Sequence, residues 1–240
     1  MTYDKSELLY EGKAKKIFSV QGDDQVIWQE FKDSFTAFNG EKKATMAGKG
    51  VINQKIASLI FFFFSDQGIP SHWVKDQGED SMVTKKLSMI DLEVVVRNIL
   101  AGSTAKKFNI LEGTALGEPL VEFYYKKDEL GDPFISDDQA LMLKVVRAPE
   151  DLLTLKKLAL QVNQVLKKLF HQAQIDLVDF KLEFGYDREG NILLGDEISP
   201  DSCRLWDQQT KEKMDKDRFR RDLGQVLEKY QEVLDRLTNQ

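Results

Sequence analysis

Apolar and charged residues alternate along residues 178–184. The apolar positions are Val178, Phe180, Leu182 and Phe184, and the positions between them are Asp179, Lys181 and Glu183. A period of two predicts a β-strand that carries the three charged side chains on one face. Turn-forming residues at 187–191 and an apolar run at 192–197 then predict a hairpin with a return strand.

This predicted hairpin brings two acidic side chains together. If its loop holds four residues, Glu183 lies almost opposite Asp196. Two carboxylates at that distance destabilise each other unless a proton or a cation lies between them, and beside Lys181 we expect a magnesium ion. Alternating charges are also typical of a solvated sheet face. The polar residues and the tryptophan that follow, at 198–207, favour a functional site over that alternative.

The remaining hydrophobic pattern predicts a strand-rich first part and a helix-rich second part. In the first part we expect two strands within residues 8–29 around a turn at 21–24, an irregular polar loop at 30–50, a buried helix at 53–65, and strands at 71–74, 81–86 and 92–98. In the second part we expect a loop at 101–103, a strand at 122–125, and helices at 104–111, 137–146, 149–170 and 217–238. The chain is therefore predicted to be an α+β protein, with an N-terminal lobe of residues 1–88 and a larger C-terminal lobe of residues 89–240.

Length, charge and cysteine content exclude several classes of protein. The 240 residues suffice for a sizeable core, and a net charge of -6 argues against broad nucleic-acid binding, which needs a basic surface. The single cysteine, Cys203, cannot form an internal disulfide, which fits a reducing compartment. The N-terminus lacks the apolar segment of a secretory signal, and the longest apolar run, residues 59–64, is too short to span a membrane. We expect a cytoplasmic protein that binds neither nucleic acid nor membranes.

Two basic segments are candidates for binding phosphate groups. Lys13 and Lys15 share a face if their segment is a strand, and Gly12 lets the backbone approach a triphosphate. The segment is not a Walker A loop, and taken alone it is more typical of a solvated basic strand. Arg97 ends a valine-rich strand and Ser103 precedes the next predicted helix, so this pair fits an anion site and an ordinary helix cap about equally.

Five longer motifs resemble those of the SAICAR synthetase family, and the resemblance extends over nearly the whole chain. They are LYEGKAK at 9–15, EVVVRN at 93–98 with AGS at 101–103, LVDFKLEFG at 177–185, GDE at 195–197 with RLWD at 204–207, and KMDKDRFR at 213–220. The resemblance implies an ATP-dependent ligase of purine biosynthesis. Such a ligase joins L-aspartate to the carboxylate of carboxyaminoimidazole ribotide (CAIR), giving SAICAR, ADP and phosphate through an acyl phosphate. It also implies a two-lobed fold similar to that of protein kinases and ATP-grasp enzymes, with ATP between the lobes.

The resemblance also implies roles for individual residues. For binding ATP it implies Gly12, Lys13, Ala14, Lys15, Lys86 and Lys126, with the adenine against the backbone of residues 83–87. For magnesium it implies Glu183 and Asp196, and for catalysis near the CAIR carboxylate it implies Lys181 and Asp179. For binding CAIR or aspartate it implies Arg97, Ser103, Asp201, Arg204 and Arg220. CAIR and metal would then be bound by the C-terminal lobe.

Two other functions stay open at this stage. A small-molecule kinase on a similar scaffold would transfer phosphate to a hydroxyl group and would need no aspartate. A nucleotide-binding regulator would bind ATP without turnover. A homodimer is a further expectation, although no pattern in the sequence sets the oligomeric state.

Overall fold

The computed structural model describes residues 2–239, and for Asn39 the backbone alone. Its first sheet is built from β1 (Lys5–Glu11), β2 (Lys15–Val20), β3 (Asp23–Phe31), β6 (Trp73–Gln77) and β7 (Ser81–Lys85). These five strands pair antiparallel in the order β1-β2-β3-β7-β6. Between β3 and β6 the chain forms a small hairpin of β4 (Ser34–Ala37) and β5 (Lys42–Thr45), followed by helix α1 (Lys49–Asp66).

The second sheet has six antiparallel strands. They are β8 (Ser88–Ile99), β9 (Ala115–Tyr125), β10 (Phe134–Ile135), β11 (Ile175–Tyr186), β12 (Ile192–Gly195) and β13 (Cys203–Asp207). The strand order is β10-β9-β8-β11-β12, and β13 also pairs with β11, the central strand. The helices of this part are α2 (Gly102–Lys107), α3 (Asp137–Met142), α4 (Pro149–Gln172), α5 (Asp217–Arg220) and α6 (Val226–Thr238). The prediction of an α+β protein is confirmed.

One hydrophobic core connects the two sheets. It runs from Phe61 of α1 and Met82 of β7 to Val94 of β8 and Leu155 of α4. A second connection is made by the backbone, because the N–H of His72 donates to the carbonyl of Leu194 at 2.8 Å. The first sheet ends at Lys85 and the second begins at Ser88. The domain boundary after residue 88 stays a prediction.

Helix α4 forms where the sequence predicts it. Pro149 occupies its first turn, where the missing N–H costs nothing, and Asp151 accepts hydrogen bonds from the N–H groups of Arg147 and Ala148 at 2.9 and 3.1 Å. Its periodic apolar residues, such as Leu155 and Leu166, are fully buried. No helix within residues 2–239 is long and apolar enough to cross a membrane.

The N-terminal part differs from its prediction in two places. Residues 8–29 contain three strands rather than two, because the first strand ends at Glu11 and the next begins only at Lys15. Lys13 therefore lies in a turn and does not share a strand face with Lys15. The prediction of an irregular polar loop at 30–50 is also wrong. This segment contains the β4–β5 hairpin, and Phe35 within it is 0% exposed because it packs on Phe219 and Tyr230.

The C-terminal part also differs from its prediction. The hairpin loop between β11 and β12 holds five residues, so Tyr186 pairs with Ile192 and Glu183 lies opposite Gly195 rather than Asp196. The segment after the hairpin contributes an unpredicted strand, β13. The helix expected over 217–238 is split in two by residues 221–225, where Asp222 and Gln225 have left-handed backbone conformations that end one helix and start the next.

Candidate active site

A cavity of about 490 Å³ opens between the two sheets. Predicted site residues line it from both sides: Gly12, Lys13, Ala14, Lys15, Lys126, Lys181, Glu183, Asp196 and Asp201. Lys86 is the one predicted ATP-binding residue that does not line it, although its neighbours Lys85 and Leu87 do. The Lys86 side chain is exposed, and its backbone N–H bonds to the carbonyl of Gln25.

Lysines and carboxylates alternate across the floor of this cavity. Lys15, on β2, contacts both Asp196 and Glu197. Lys181, on β11, contacts Glu183 on the same strand, and its Nζ lies 3.6 Å from Asp196. Because Lys181 touches both carboxylates, the two residues predicted to hold magnesium are brought together despite the one-residue error in register.

The pKa values of two adjacent carboxylic acids in this cluster, Asp196 and Glu197, are shifted in opposite directions. Burial alone would raise the pKa of Asp196, but the attraction of Lys15 and Lys181 outweighs it and holds that pKa well below its usual value. Burial and the negative charge of Asp196, which Lys15 offsets only in part, raise the pKa of Glu197 to about 7. Asp196 also has a left-handed backbone, with φ of 57°, which is a strained conformation for a residue with a side chain. Asp196 is therefore held as an anion in a fixed position.

The donor set suits magnesium. Mg²⁺ is usually bound in proteins through one or two carboxylates, with substrate phosphates and water completing the octahedron. Glu183 and Asp196 supply two such carboxylates at the edge of a cavity large enough for a nucleotide. Within residues 2–239 there is no group of three or more acidic, histidine or cysteine side chains placed to hold a metal by themselves. A metal at this position would need ligands from a bound substrate.

A second cavity of about 370 Å³ adjoins the first. The remaining predicted residues line it: Arg97, Ser103, Asp179, Arg204 and Arg220. The two cavities share five lining residues, namely Glu93, Lys181, Asp201, Ser202 and Lys216. Lys181 therefore faces both cavities, and a group bound in one can reach a group bound in the other beside it.

Buried carboxylates hold the arginines of the second cavity. Arg97 donates from Nε to Glu122 at 2.6 Å and from Nη1 to Asp179 at 2.7 Å. Arg204 donates from Nη1 to the same Asp179 oxygen at 2.8 Å and from Nε to Asp217 at 3.1 Å. Asp179 thus accepts hydrogen bonds from two arginines that line this cavity.

Gly102 allows Arg204 its position. Gly102 has a left-handed backbone with φ of 60°, and a Cβ atom built there would lie only 2.5 Å from Nη2 of Arg204. Any larger residue would push the guanidinium away. The small residues of the loop at 101–103 therefore serve close approach of Arg204 as well as the start of α2.

Asp201 is held on all sides by protein groups. Its carboxylate accepts hydrogen bonds from Asn53 at 3.0 Å and Tyr230 at 2.9 Å, and it forms an ion pair of 2.5 Å with Lys49. Burial alone would raise its pKa, but Lys216 and Lys49 together lower it to about 2. Asp201 borders both cavities, yet these contacts make it an anchor between α1 and α6.

Several residues that line the two cavities received no role from sequence reasoning, and four of them are charged or titratable groups close to the predicted residues: Glu93, Glu197, Lys216 and His72. Three of these residues lie within motifs quoted above, although no role was assigned to them: Glu93, Glu197 and Lys216. His72 lies outside every motif. It is buried beside Phe61, and burial and then the charge of Lys15 lower its pKa to about 3, so it is neutral. No signal in a single sequence marks it.

The sequence matches a known protein family over almost its whole length. The family model for SAICAR synthetase matches residues 8–237. The chain belongs to the SAICAR synthetase family. Its relatives include the phosphoribosylaminoimidazole-succinocarboxamide synthases of Bacillus cereus, 53% identical over 97% of both chains, and Wolinella succinogenes, 52% identical over 98% of this chain and 100% of the relative.

Solved structures of the SAICAR synthetase family have the same fold. The Ehrlichia chaffeensis enzyme superposes with a TM-score of 0.94 at 43% identity, covering 97% of this chain and 98% of that one. A SAICAR synthetase in complex with ADP gives a TM-score of 0.93 at 45% identity, covering 98% of both chains. These likenesses confirm the predicted SAICAR synthetase fold. They also confirm that the protein is an ATP-dependent ligase of purine biosynthesis.

Proposed function

We propose that the larger cavity binds ATP, that the smaller one binds CAIR, and that the protein joins L-aspartate to the CAIR carboxylate where the two cavities meet. The observation that carries this proposal is the position of Lys181, which lines both. The lysines of the larger cavity suit a triphosphate, and the arginines of the smaller one suit the phosphate of a ribotide. The ADP complex of a relative supports a nucleotide site.

The reaction requires two bond exchanges at one carboxylate. An oxygen of the CAIR carboxylate attacks the γ-phosphorus of ATP, the bond to the β-phosphate oxygen breaks, and ADP leaves. The amine of aspartate then attacks the carbonyl carbon of the acyl phosphate, loses a proton, and expels inorganic phosphate. Both steps gather negative charge on phosphoryl oxygens, so lysines fixed at that point lower their barriers.

Individual residues take roles that follow from their contacts. Lys181 stabilises charge on the transferring phosphoryl group because it lies between the cavities, and Lys15 holds the ATP phosphates. Asp179 keeps Arg97 and Arg204 aimed at the ribotide phosphate rather than contacting the reacting carboxylate. Glu183 and Asp196 would hold magnesium, which neutralises phosphate charge when bound.

Three broader expectations accompany this proposal. The protein would act on small molecules, without nucleic acid or membrane, in the cytoplasm. A homodimer is also proposed, and sedimentation velocity at micromolar concentration tests it. A sedimentation coefficient that corresponds to the 27.6 kDa chain at every concentration would reject the homodimer.

The decisive experiment omits one substrate at a time. Purified protein with magnesium, ATP, CAIR and L-aspartate is expected to release one ADP per SAICAR formed, and to release almost no ADP without aspartate. ADP release at an unchanged rate without aspartate would favour the kinase alternative, and nucleotide binding without any product would favour the regulator.

A matched pair of variants tests the metal assignment. Glu183→Gln is expected to lower kcat by a factor of at least about 100, since it removes one carboxylate charge from the metal and the phosphoryl group. Glu189→Gln, in the exposed turn of the same hairpin, is expected to leave kcat unchanged. Near-normal turnover of the Glu183 variant at saturating magnesium contradicts the assignment.

A further inference from the structure

The inner wall of the larger cavity contains an unpaired amide. Gln29 lies on β3, opposite Ile17 of β2, and is only 4% exposed although it lines the cavity. Its Nε2 donates to the hydroxyl of Thr84 on the neighbouring strand at 3.0 Å. Its other end, Oε1, has no hydrogen-bond partner in the part of the chain that the structure describes. Buried amide groups are nearly always paired, so this one calls for a partner outside the protein.

The surroundings of Gln29 are apolar and suit a planar base. Ile17 and Ile27 line the cavity from the first sheet. Leu87, just before β8, and Met89, in β8, also line it. Both lie against Gly185 and Gly195 of the hairpin, where a Cβ atom would collide with them or press on them. Apolar walls with a single fixed polar group are typical of sites that bind and orient a flat ligand. The charged floor at Lys15 and Lys181 serves the phosphates instead.

Thr84 fixes which end of the amide is free. A hydroxyl can accept from the amide N–H, and the Thr84 side chain is fully buried and does so. That bond leaves the carbonyl oxygen available as an acceptor. Adenine presents an exocyclic amine that donates, whereas guanine presents a carbonyl oxygen at the same ring position, which would meet the amide oxygen with like partial charge.

We propose that Gln29, held by Thr84, accepts a hydrogen bond from the exocyclic amine of adenine and so selects ATP over other purine nucleotides. The inference rests on the proposed ATP cavity and adds a specificity-determining residue to it. It concerns binding of the base alone, so the effect belongs in nucleotide affinity and not in the rate of the chemical step.

Binding measurements test the inference separately from the reaction. Calorimetry compares ADP, GDP and purine riboside diphosphate, which lacks the exocyclic amine, on the wild-type protein and on Gln29→Leu. One hydrogen bond between neutral groups corresponds to roughly a tenfold difference in affinity. We expect wild type to bind ADP about tenfold more tightly than the amine-free analogue, and Gln29→Leu to bind the two equally.

Two further variants guard against a trivial result. Gln25→Leu changes the same residue type at an exposed position of the same strand and should keep the tenfold preference. Thr84→Val keeps the side-chain volume but releases the amide, and should reduce the preference for ADP over GDP. Gln29→Leu removes an unpaired buried oxygen but also takes the donor from the buried Thr84 hydroxyl, so the two effects on stability oppose each other; a melting curve without nucleotide checks that the variant is folded.

Two outcomes overturn the inference. One is an unchanged ratio of ADP to analogue affinity in Gln29→Leu. The other is a wild-type preference for GDP, which would mean that the amide presents its N–H groups. Failure of the proposed function has a different signature, since a protein that forms no SAICAR from its substrates still gives the three affinities that decide the role of Gln29.

Discussion

Replacing Lys49 by methionine should destabilise the protein strongly, although Lys49 lies in a polar segment of the sequence. The Lys49 side chain is 1% exposed and its Nζ lies 2.5 Å from Oδ2 of Asp201, which is 4% exposed. Nζ also donates to the carbonyl of Ser34 at 2.8 Å and lies over the ring of Phe35. Methionine keeps the length of the side chain but leaves the Asp201 charge without its closest cation.

The buried ion pair gives the magnitude of this loss, and the pKa of Asp201 gives the scale of all the contacts that stabilise its charge. Breaking a buried ion pair by removing one partner costs about 3–5 kcal/mol, and the bonds from Asn53 and Tyr230 that remain on Asp201 place Lys49→Met near the lower end, about 3 kcal/mol. The pKa of Asp201 falls from 3.8 to about 2 in the folded protein. That shift corresponds to about 2 kcal/mol of stability, to which Lys216, Lys49 and the hydrogen bond from Tyr230 all contribute. For a chain of this size the melting temperature should fall by roughly 6–12 °C.

The same pair predicts a dependence on pH. The folded-state pKa of Asp201 lies below its unfolded value, so its contribution is complete above about pH 4 and is lost as the pH falls towards 2. Asp201→Asn should therefore lose less stability than wild type over that range. A Lys49→Met variant holds Asp201 less firmly as an anion, so its folded-state pKa lies closer to the unfolded value and the variant should lose less stability than wild type between pH 4 and 2.

Urea unfolding followed by circular dichroism measures these differences. The series comprises wild type, Lys49→Met, Asp201→Asn and the double variant, with Lys55→Met as a control at an exposed position of the same helix. The control should stay within about 0.5 kcal/mol of wild type. The double variant should be more stable than the sum of the single losses implies, because removing both charges leaves none unpaired. A loss below about 1 kcal/mol in Lys49→Met, or strict additivity, would refute the reasoning.

Three further changes test other contacts. Gly102→Ala should raise the KM for CAIR about tenfold and leave ADP affinity unchanged, since its Cβ would displace Arg204; equal loss of both in calorimetry and steady-state kinetics would contradict this. Asp217→Asn should likewise raise the KM for CAIR about tenfold with kcat retained, because Asp217 holds Arg204 at 3.1 Å; a fall in kcat alone would argue against it. Tyr186→Phe should lower the free energy of unfolding by about 1.5 kcal/mol in urea by removing its 2.6 Å bond to Asp151, with kinetics unchanged; a stability equal to wild type would show that this bond is dispensable.

The periodicity of apolar residues predicts the strands and helices that bury one face along their whole length. The strand from Ile175 to Tyr186 and the helix from Pro149 to Gln172 follow from periods of 2 and 3.6 residues, because each buries one face along its whole length. The site residues also came from the sequence, but through motifs rather than geometry. Periodicity alone left Lys13, Lys15 and Arg97 as plausible surface charges.

Contacts between distant segments are what the sequence could not predict. Phe35 is buried only because Phe219 and Tyr230, nearly 200 residues away, pack on it. Lys49 is buried because its ammonium group forms an ion pair with the carboxylate of Asp201. In an isolated segment both would favour an exposed loop, because most of the other residues between 30 and 50 are polar or glycine. The hairpin loop has five residues rather than four, and this difference of one residue places Glu183 opposite Gly195. Loop length sets the register of a hairpin, and the residue types at 187–191 did not specify it.

The charges of the larger cavity are paired with one another. Three lysines contact the carboxylates of Glu183 and Asp196, namely Lys15, Lys126 and Lys181, so neither carboxylate lacks a cation. In the proposed function, the phosphates of the nucleotide would lie towards the lysines and the divalent cation towards the carboxylates. Binding would then exchange one set of ion pairs for another. Removing a single member leaves an uncompensated charge both with and without substrate, so its effect should appear in stability as well as in turnover.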